Sequence, residues 1–316
     1  MHSLCRILLG LTAAVGSFAP ALATESAGAR PSVEELYAGE LSDTGPQYLL
    51  VPGAGREQRF TAWTRADVSW TDNATFTETG SRGSSITSWQ AGFDARLHTR
   101  ALAGGRLAVG AGARGQIFRY GLLGGDDKVI DFLQIDRNNF DLAGAQVRAV
   151  WQREAWLATS SLQGTLLRNR SAGRTFYREL LWDAGLYHQW KTAGGSTLLL
   201  GGELARRWSW TDTYGLLPTG WNDRAEAALT ASWSLPLRRG LAWRTTARAL
   251  GTEYTHTGRH RRDVTGTLGT ELGWAWRERL ELRVFLNHER RDSTETAMPD
   301  YSRWEGGLGA GLRWEF

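Results

Sequence analysis

The chain has 316 residues, 37 of them basic and 33 acidic, for a formal net charge of +4. That balance excludes a nucleic-acid-binding surface built on excess basic charge, and the single cysteine, Cys5, excludes a disulfide scaffold. Beyond the first residues no run of about 18 uncharged apolar residues occurs, which excludes membrane-spanning helices. The remaining signature is Gly 38, Trp 16 and Pro 7. Tryptophan enrichment suits a membrane interface, and scarce proline suits a chain that pairs nearly every backbone N–H.

Residues 1–23 read as a cleavable secretory leader. Arg6 carries the positive charge, 7–18 is apolar, and Ala21-Leu22-Ala23 is an A-x-A cleavage site. The mature chain then begins near Thr24 without a thiol, which excludes thiolate catalysis and cysteine-ligated metals. Residues 24–58 hold Pro31, Pro46 and Pro52 and one short helix-like run over 32–41, with Ser32 as N-cap and Glu35 closing a capping box. This segment is expected to be a periplasmic extension, or to tuck into a lumen, and is the candidate docking segment for a periplasmic partner.

From residue 59 to the end the pattern has period two. Twelve segments alternate: 60–70, 88–98, 106–120, 140–151, 156–168, 179–190, 197–210, 221–235, 241–254, 263–276, 280–291 and 303–316. In the first, Phe60, Ala62, Ala66, Val68 and Trp70 share one parity. The fourth loses its parity near Gly144, which predicts a bulge. In the last, Trp304, Leu308, Ala310, Leu312, Trp314 and Phe316 share one face, while Arg303, Glu305, Gly307, Gly309, Gly311 and Arg313 share the other. Side chains alternate across a strand, so one face is apolar and the other charged or bare. An apolar terminal strand would be an aggregation-prone edge unless it closes a barrel with lipid on its greasy side.

The connections also alternate. Short turns near 101–105, 152–155, 192–196, 236–240 and 277–279 separate longer loops over 71–87, 121–139, 169–178, 211–220, 255–262 and 292–302. That asymmetry, with an even strand number, predicts an all-β, transmembrane antiparallel up-and-down barrel of about twelve strands. Both termini then lie on the periplasmic side. The tryptophans fall into two expected bands. Trp70, Trp89, Trp182, Trp208, Trp210, Trp221 and Trp304 belong to the outer rim, and Trp151, Trp156, Trp190, Trp233, Trp243, Trp274, Trp276 and Trp314 to the inner one.

With its leader, hairpin-spaced strands and terminal Leu312, Trp314 and Phe316 in alternate positions, the chain resembles bacterial outer-membrane β-barrel proteins. The resemblance covers residues 60–316. It implies location in the bacterial outer membrane, contact with lipid and lipopolysaccharide, and a terminal strand, through Trp314 and Phe316, read by the barrel-assembly machinery. Members include small channels, a lipase-type enzyme and export barrels, so the fold leaves function open.

Function is sought on the inward parity. Arg65, Arg96, Arg114, Glu203, Arg207, Glu226, Arg244, Arg248 and Glu271 are the candidate lumen-lining residues. Asp67, Asp94, Arg106, Arg148, Glu179, Asp183, Arg224, Glu281, Arg283, Glu289 and Arg303 share that parity. Two readings stay open: a narrow wet lumen, weakly selective because the signs nearly balance, or a lumen cross-linked by Arg–carboxylate pairs. The leading expectation is a channel or passive transporter for small solutes. The alternatives are an enzyme acting on lipid and a structural or export barrel.

No catalytic, cofactor or metal residue is assigned. Five histidines follow the leader: His98, His188, His256, His260 and His288. A serine hydrolase on a barrel would need Ser and His on adjacent lipid-facing strands. His288 has that parity near the outer rim, with Ser293 and Ser302 in the neighbouring loop, but no Gly-x-Ser-x-Gly element occurs. The basic loop 255–262 suits lipopolysaccharide phosphates or plain solvation. Asp126, Asp127, Asp131 and Asp136 are spaced unlike an EF-hand loop, so a solvated loop is expected there.

Overall fold

A computed structural model describes residues 60–74, 83–125, 140–169, 174–211, 219–238, 240–256, 260–276, 279–295 and 300–316. The leader, the 24–58 segment and the acidic loop with Asp126, Asp127, Asp131 and Asp136 lie outside the described residues. Alternation produces strands and, among the described residues, no helix. In chain order the strands are β1 Phe60–Thr71, β2 Ser84–Leu102, β3 Gly105–Gly125, β4 Phe140–Arg153, β5 Trp156–Asn169, β6 Arg174–Lys191, β7 Thr197–Thr211, β8 Arg224–Arg238, β9 Leu241–Tyr254, β10 Arg262–Trp276, β11 Leu280–Ser293 and β12 Tyr301–Glu315.

Each strand pairs antiparallel with its chain neighbours, and β1 pairs with β12, so the sheet closes into a barrel. Closure satisfies every edge. At the seam, Phe316 N–H donates to Phe60 O at 3.0 Å and Phe60 N–H donates to Phe316 O at 3.4 Å. The short turns lie at one end of the barrel and the longer connections at the other. The β2–β3 turn has two residues, since Leu102 pairs directly with Gly105. Ala103 and Gly104 have φ of 49° and 72°, the pair of positive values a type I′ hairpin requires.

The outer face is greasy. Leu, Val and Trp side chains stand exposed on every strand, among them Val147 on β4, Leu162 on β5, Leu268 on β10 and Leu308 on β12. A strand of 14 residues such as β9 is about 46 Å long and, tilted by about 45°, rises about 33 Å, enough to cross a hydrocarbon core of ~30 Å.

One expectation is corrected. No bulge breaks β4 near Gly144, because its register runs continuously on both sides, against β3 and β5. The parity change has another cause. Phe140 and Leu142 keep the inward parity and are buried inside the barrel, packed with Leu167, Phe176, Tyr177 and Tyr301. Bulges occur instead between Ser84 and Ile86, Arg96 and His98, Leu167 and Arg168, and Pro236 and Arg238.

The glycines of β12 have a geometric reason. Gly309 is the register partner of both Asp67 on β1 and Arg283 on β11. Arg283 reaches over it, its Nη2 donating to Asp67 Oδ1 at 2.7 Å. A Cβ on Gly309 would lie 2.1 Å from that Asp67 oxygen. One row toward the short-turn end, Arg65 and Glu281 reach toward each other across Gly311, 3.5 Å apart. The closing strand is bare on its inner face because ion pairs between its two neighbours pass over it.

Candidate functional site: the barrel interior

The interior is built from the charged parity of all twelve strands and divides into two zones. Toward the long-loop end the polar groups are buried. Arg207 on β7 donates from Nη1 to Glu179 Oε1 on β6 at 2.7 Å, and its Nε lies 2.9 Å from Glu226 Oε1 on β8. The second contact is an ion pair between paired strands β7 and β8. Arg224 donates from Nε to Glu226 at 2.7 Å, and Tyr177 donates to Glu179 at 2.6 Å. Across the barrel Arg303 donates to Glu289 at 3.2 Å, and Tyr301 also donates to Glu289. The Arg207, Glu179, Glu226 and Arg224 side chains are 1–5% exposed. The apolar cluster around Phe140 and Leu167 links these two networks, since Tyr177 and Tyr301 both belong to it.

Toward the short-turn end the inward charges are wetter. Side-chain exposure is 20% for Arg65 and 43% for its partner Glu281, 35% for Arg148 and 40% for Arg244. Arg148 lies 3.6 Å from Asp94, and Arg244 donates to Glu271 at 3.4 Å. Glu203 accepts from Tyr187 at 2.8 Å, Thr230 at 3.1 Å and Arg248 at 3.1 Å. Tyr187 lies flat over Gly201, where a Cβ would fall 2.1 Å from its ring. Arg96 faces Gly110 and Arg114 faces Gly144 on neighbouring strands. On β2 to β4 the inner wall therefore carries Arg96, Arg106, Arg114 and Arg148 against Asp94.

Of the candidate lumen residues, Arg65, Arg96, Arg114, Glu203, Arg244 and Arg248 are half-buried on the inner wall. Glu271 is buried between Arg244 and Arg283. Arg207 and Glu226 belong to the buried layer. The interior aromatics Tyr177, Tyr187 and Tyr301 were not singled out from the sequence, although each shares parity with a carboxylate it meets two residues away or on a paired strand. The only sequence signal for the apolar cluster was the broken parity of β4.

The histidines and outer loops are placed as follows. His188 packs on Trp156 and Trp190, and His256 on Trp221. His260 lines a cavity of about 320 Å³ with Glu253, Tyr254, Arg261, Arg262 and Thr294. The basic character of that loop is locally offset, since Arg261 pairs with Asp263 and Arg262 with Glu253. Residues 257–259 lie outside the described residues. Ser302, expected in a loop, belongs to β12, and its hydroxyl lies 2.9 Å from His288 Nε2. Among the described residues no group of three or more His, Cys, Asp or Glu could hold a metal ion.

A closed barrel of twelve antiparallel strands, apolar outside and charged inside, defines a transmembrane β-barrel of the bacterial outer membrane. No protein-family model matches the chain, and no curated protein sequence matches it. Solved structures do match it. An outer membrane channel from Pseudomonas putida F1 is 9% identical with a TM-score of 0.54, over 83% of this chain and 97% of that one. The beta domain of the Bordetella autotransporter BrkA is 14% identical with a TM-score of 0.48, over 82% of this chain and 100% of that one. The NanC porin is 8% identical with a TM-score of 0.42, over 78% and 98%. At these identities the likeness concerns the fold.

Proposed function

We propose that the barrel is a narrow, weakly selective channel or passive transporter for small solutes. The carrying observation is the gradient of water access along the inner wall. Inward charges such as Glu281 and Arg244 keep 43% and 40% of their surface, while Glu179 and Arg224 near the other end keep 1% and 3%. The exposed charges line a wet vestibule at the short-turn end, and the buried layer is the narrow point that small solutes must pass. The arginines on β2 to β4 add a modest preference for anions. Conduction further requires that the wall bind solutes weakly, and most of its charges are already paired. Liposome swelling tests this reading. Vesicles loaded with impermeant polymer are expected to swell in small sugars or amino acids only when they contain the protein. Equal swelling with and without protein contradicts it.

The outward tryptophans are read as anchoring belts. Trp70, Trp208, Trp210 and Trp304 stand exposed toward the long-loop end, and Trp156, Trp190, Trp243, Trp276 and Trp314 toward the other. Trp182 is opposite Leu162, and Trp89 opposite Ala66, so both sit nearer mid-strand than the sequence pattern suggests.

A further inference from the structure

The outer face of β11 and β12 changes character at one level. Along β11 it runs Leu282, Val284 and Leu286, then His288, Arg290 and Asp292. Leu286 is opposite Gly306, His288 opposite Trp304, and Arg290 opposite Ser302. The apolar surface therefore ends between Leu286 and His288. In an outer-membrane barrel such a transition marks the depth where headgroups meet acyl chains, which is where the ester linkages of a lipid lie.

At that depth Ser302 Oγ and His288 Nε2 are 2.9 Å apart. The two residues are diagonal neighbours on paired strands, so the ladder sets their separation. The His288 ring rests on Trp304, with centroids 4.5 Å apart and planes tilted by 44°. Asp292 is engaged by Arg290 at 3.0 Å, and the histidine is held by its tilted ring contact with Trp304. Neither side chain is buried, so the bond is not needed to satisfy a desolvated group. On the flank, exposed Gly266 lies opposite Arg290, and the space a Cβ would occupy there is open to 4 Å.

We propose that Ser302 and His288 form a nucleophile–base pair that cleaves ester-linked acyl chains of the surrounding lipid. Ser302 Oγ attacks the ester carbonyl carbon while its proton passes to His288 Nε2. The tetrahedral intermediate collapses with cleavage of the ester C–O bond, and His288 returns the proton to the leaving alkoxide. Water then attacks the acyl-serine. His288 takes the water proton and delivers it to Ser302 Oγ as the fatty acid leaves. The activity sits on the outer surface and is independent of passage through the lumen.

The test uses the full chain in mixed micelles, with phosphatidylethanolamine in one arm and lipopolysaccharide in the other, and a fluorophosphonate probe in parallel. Fatty acid release in at least one arm is expected, with the label on Ser302. Ser302→Ala and His288→Asn should each lower release by about 100-fold, while Ser293→Ala retains it. Heat-modifiable migration of each variant shows that the barrel has assembled. Absence of release in both arms from assembled wild-type protein overturns the proposal. So does release that persists in an assembled Ser302→Ala variant.

Discussion

Replacing Arg207 with alanine is the most informative perturbation of the barrel interior. Arg207 is held between Glu179, at 2.7 Å, and Glu226, at 2.9 Å, all three side chains being 1–5% exposed. Its removal leaves two buried carboxylates short of a cation. Arg224 stays near both, 2.7 Å from Glu226 and 3.7 Å from Glu179, so one positive charge then serves two negative ones. Breaking a buried pair by deleting one partner costs about 3–5 kcal/mol. With a urea slope of about 2 kcal/mol/M, the unfolding midpoint should fall by about 2 M. The assay is urea unfolding of the purified barrel in detergent micelles, followed by tryptophan fluorescence. A double substitution, Arg207→Ala with Glu226→Gln, should recover part of the loss, because the surplus negative charge is gone. A midpoint within about 0.5 M of wild type for Arg207→Ala would refute the reasoning. It would mean that water already solvates these groups and that no tight layer exists there.

Three further outcomes follow from particular contacts. Gly309→Val should lower stability by about 1–3 kcal/mol, since its Cβ would displace the Asp67–Arg283 pair; Gly164→Ala, with nothing within 4 Å, is the control and should unfold at the wild-type urea midpoint. Leu167→Ala should cost about 2–5 kcal/mol in the same assay, because Leu167 is 1% exposed in the interior apolar cluster. Deleting Phe316 should reduce the assembled fraction seen by heat-modifiable migration, since its backbone both donates to and accepts from Phe60 at the seam; an unchanged fraction would remove Phe316 from the assembly signal.

Period-two alternation is a local signal, and it placed the twelve strands, their order and the closing role of the last one. β9 spans the residues its alternation predicts, and β12 begins two residues earlier because Tyr301 and Ser302 continue the ladder against β11. What lay inside was harder to read. Alternation assigns a side chain to a face but not to a height or a partner. Phe140 and Leu142 break the outward apolar pattern of β4 because the interior is apolar just there. The glycines of β12 hinted at space, yet only the register showed that Asp67 and Arg283 meet over Gly309. The contact between His288 and Ser302 depends on the same register, and a shift of one residue would have put the two on opposite faces.

The proposed channel requires a water-accessible interior with a narrow outer end. Single-channel recording in planar bilayers tests it most directly. Purified protein should give discrete current steps with a small conductance and a reversal potential, under a salt gradient, displaced modestly toward that of chloride. In an assembled barrel, Glu226→Ala, which empties part of the buried layer, should enlarge the steps. Absence of steps from fully assembled wild-type protein would contradict the channel reading.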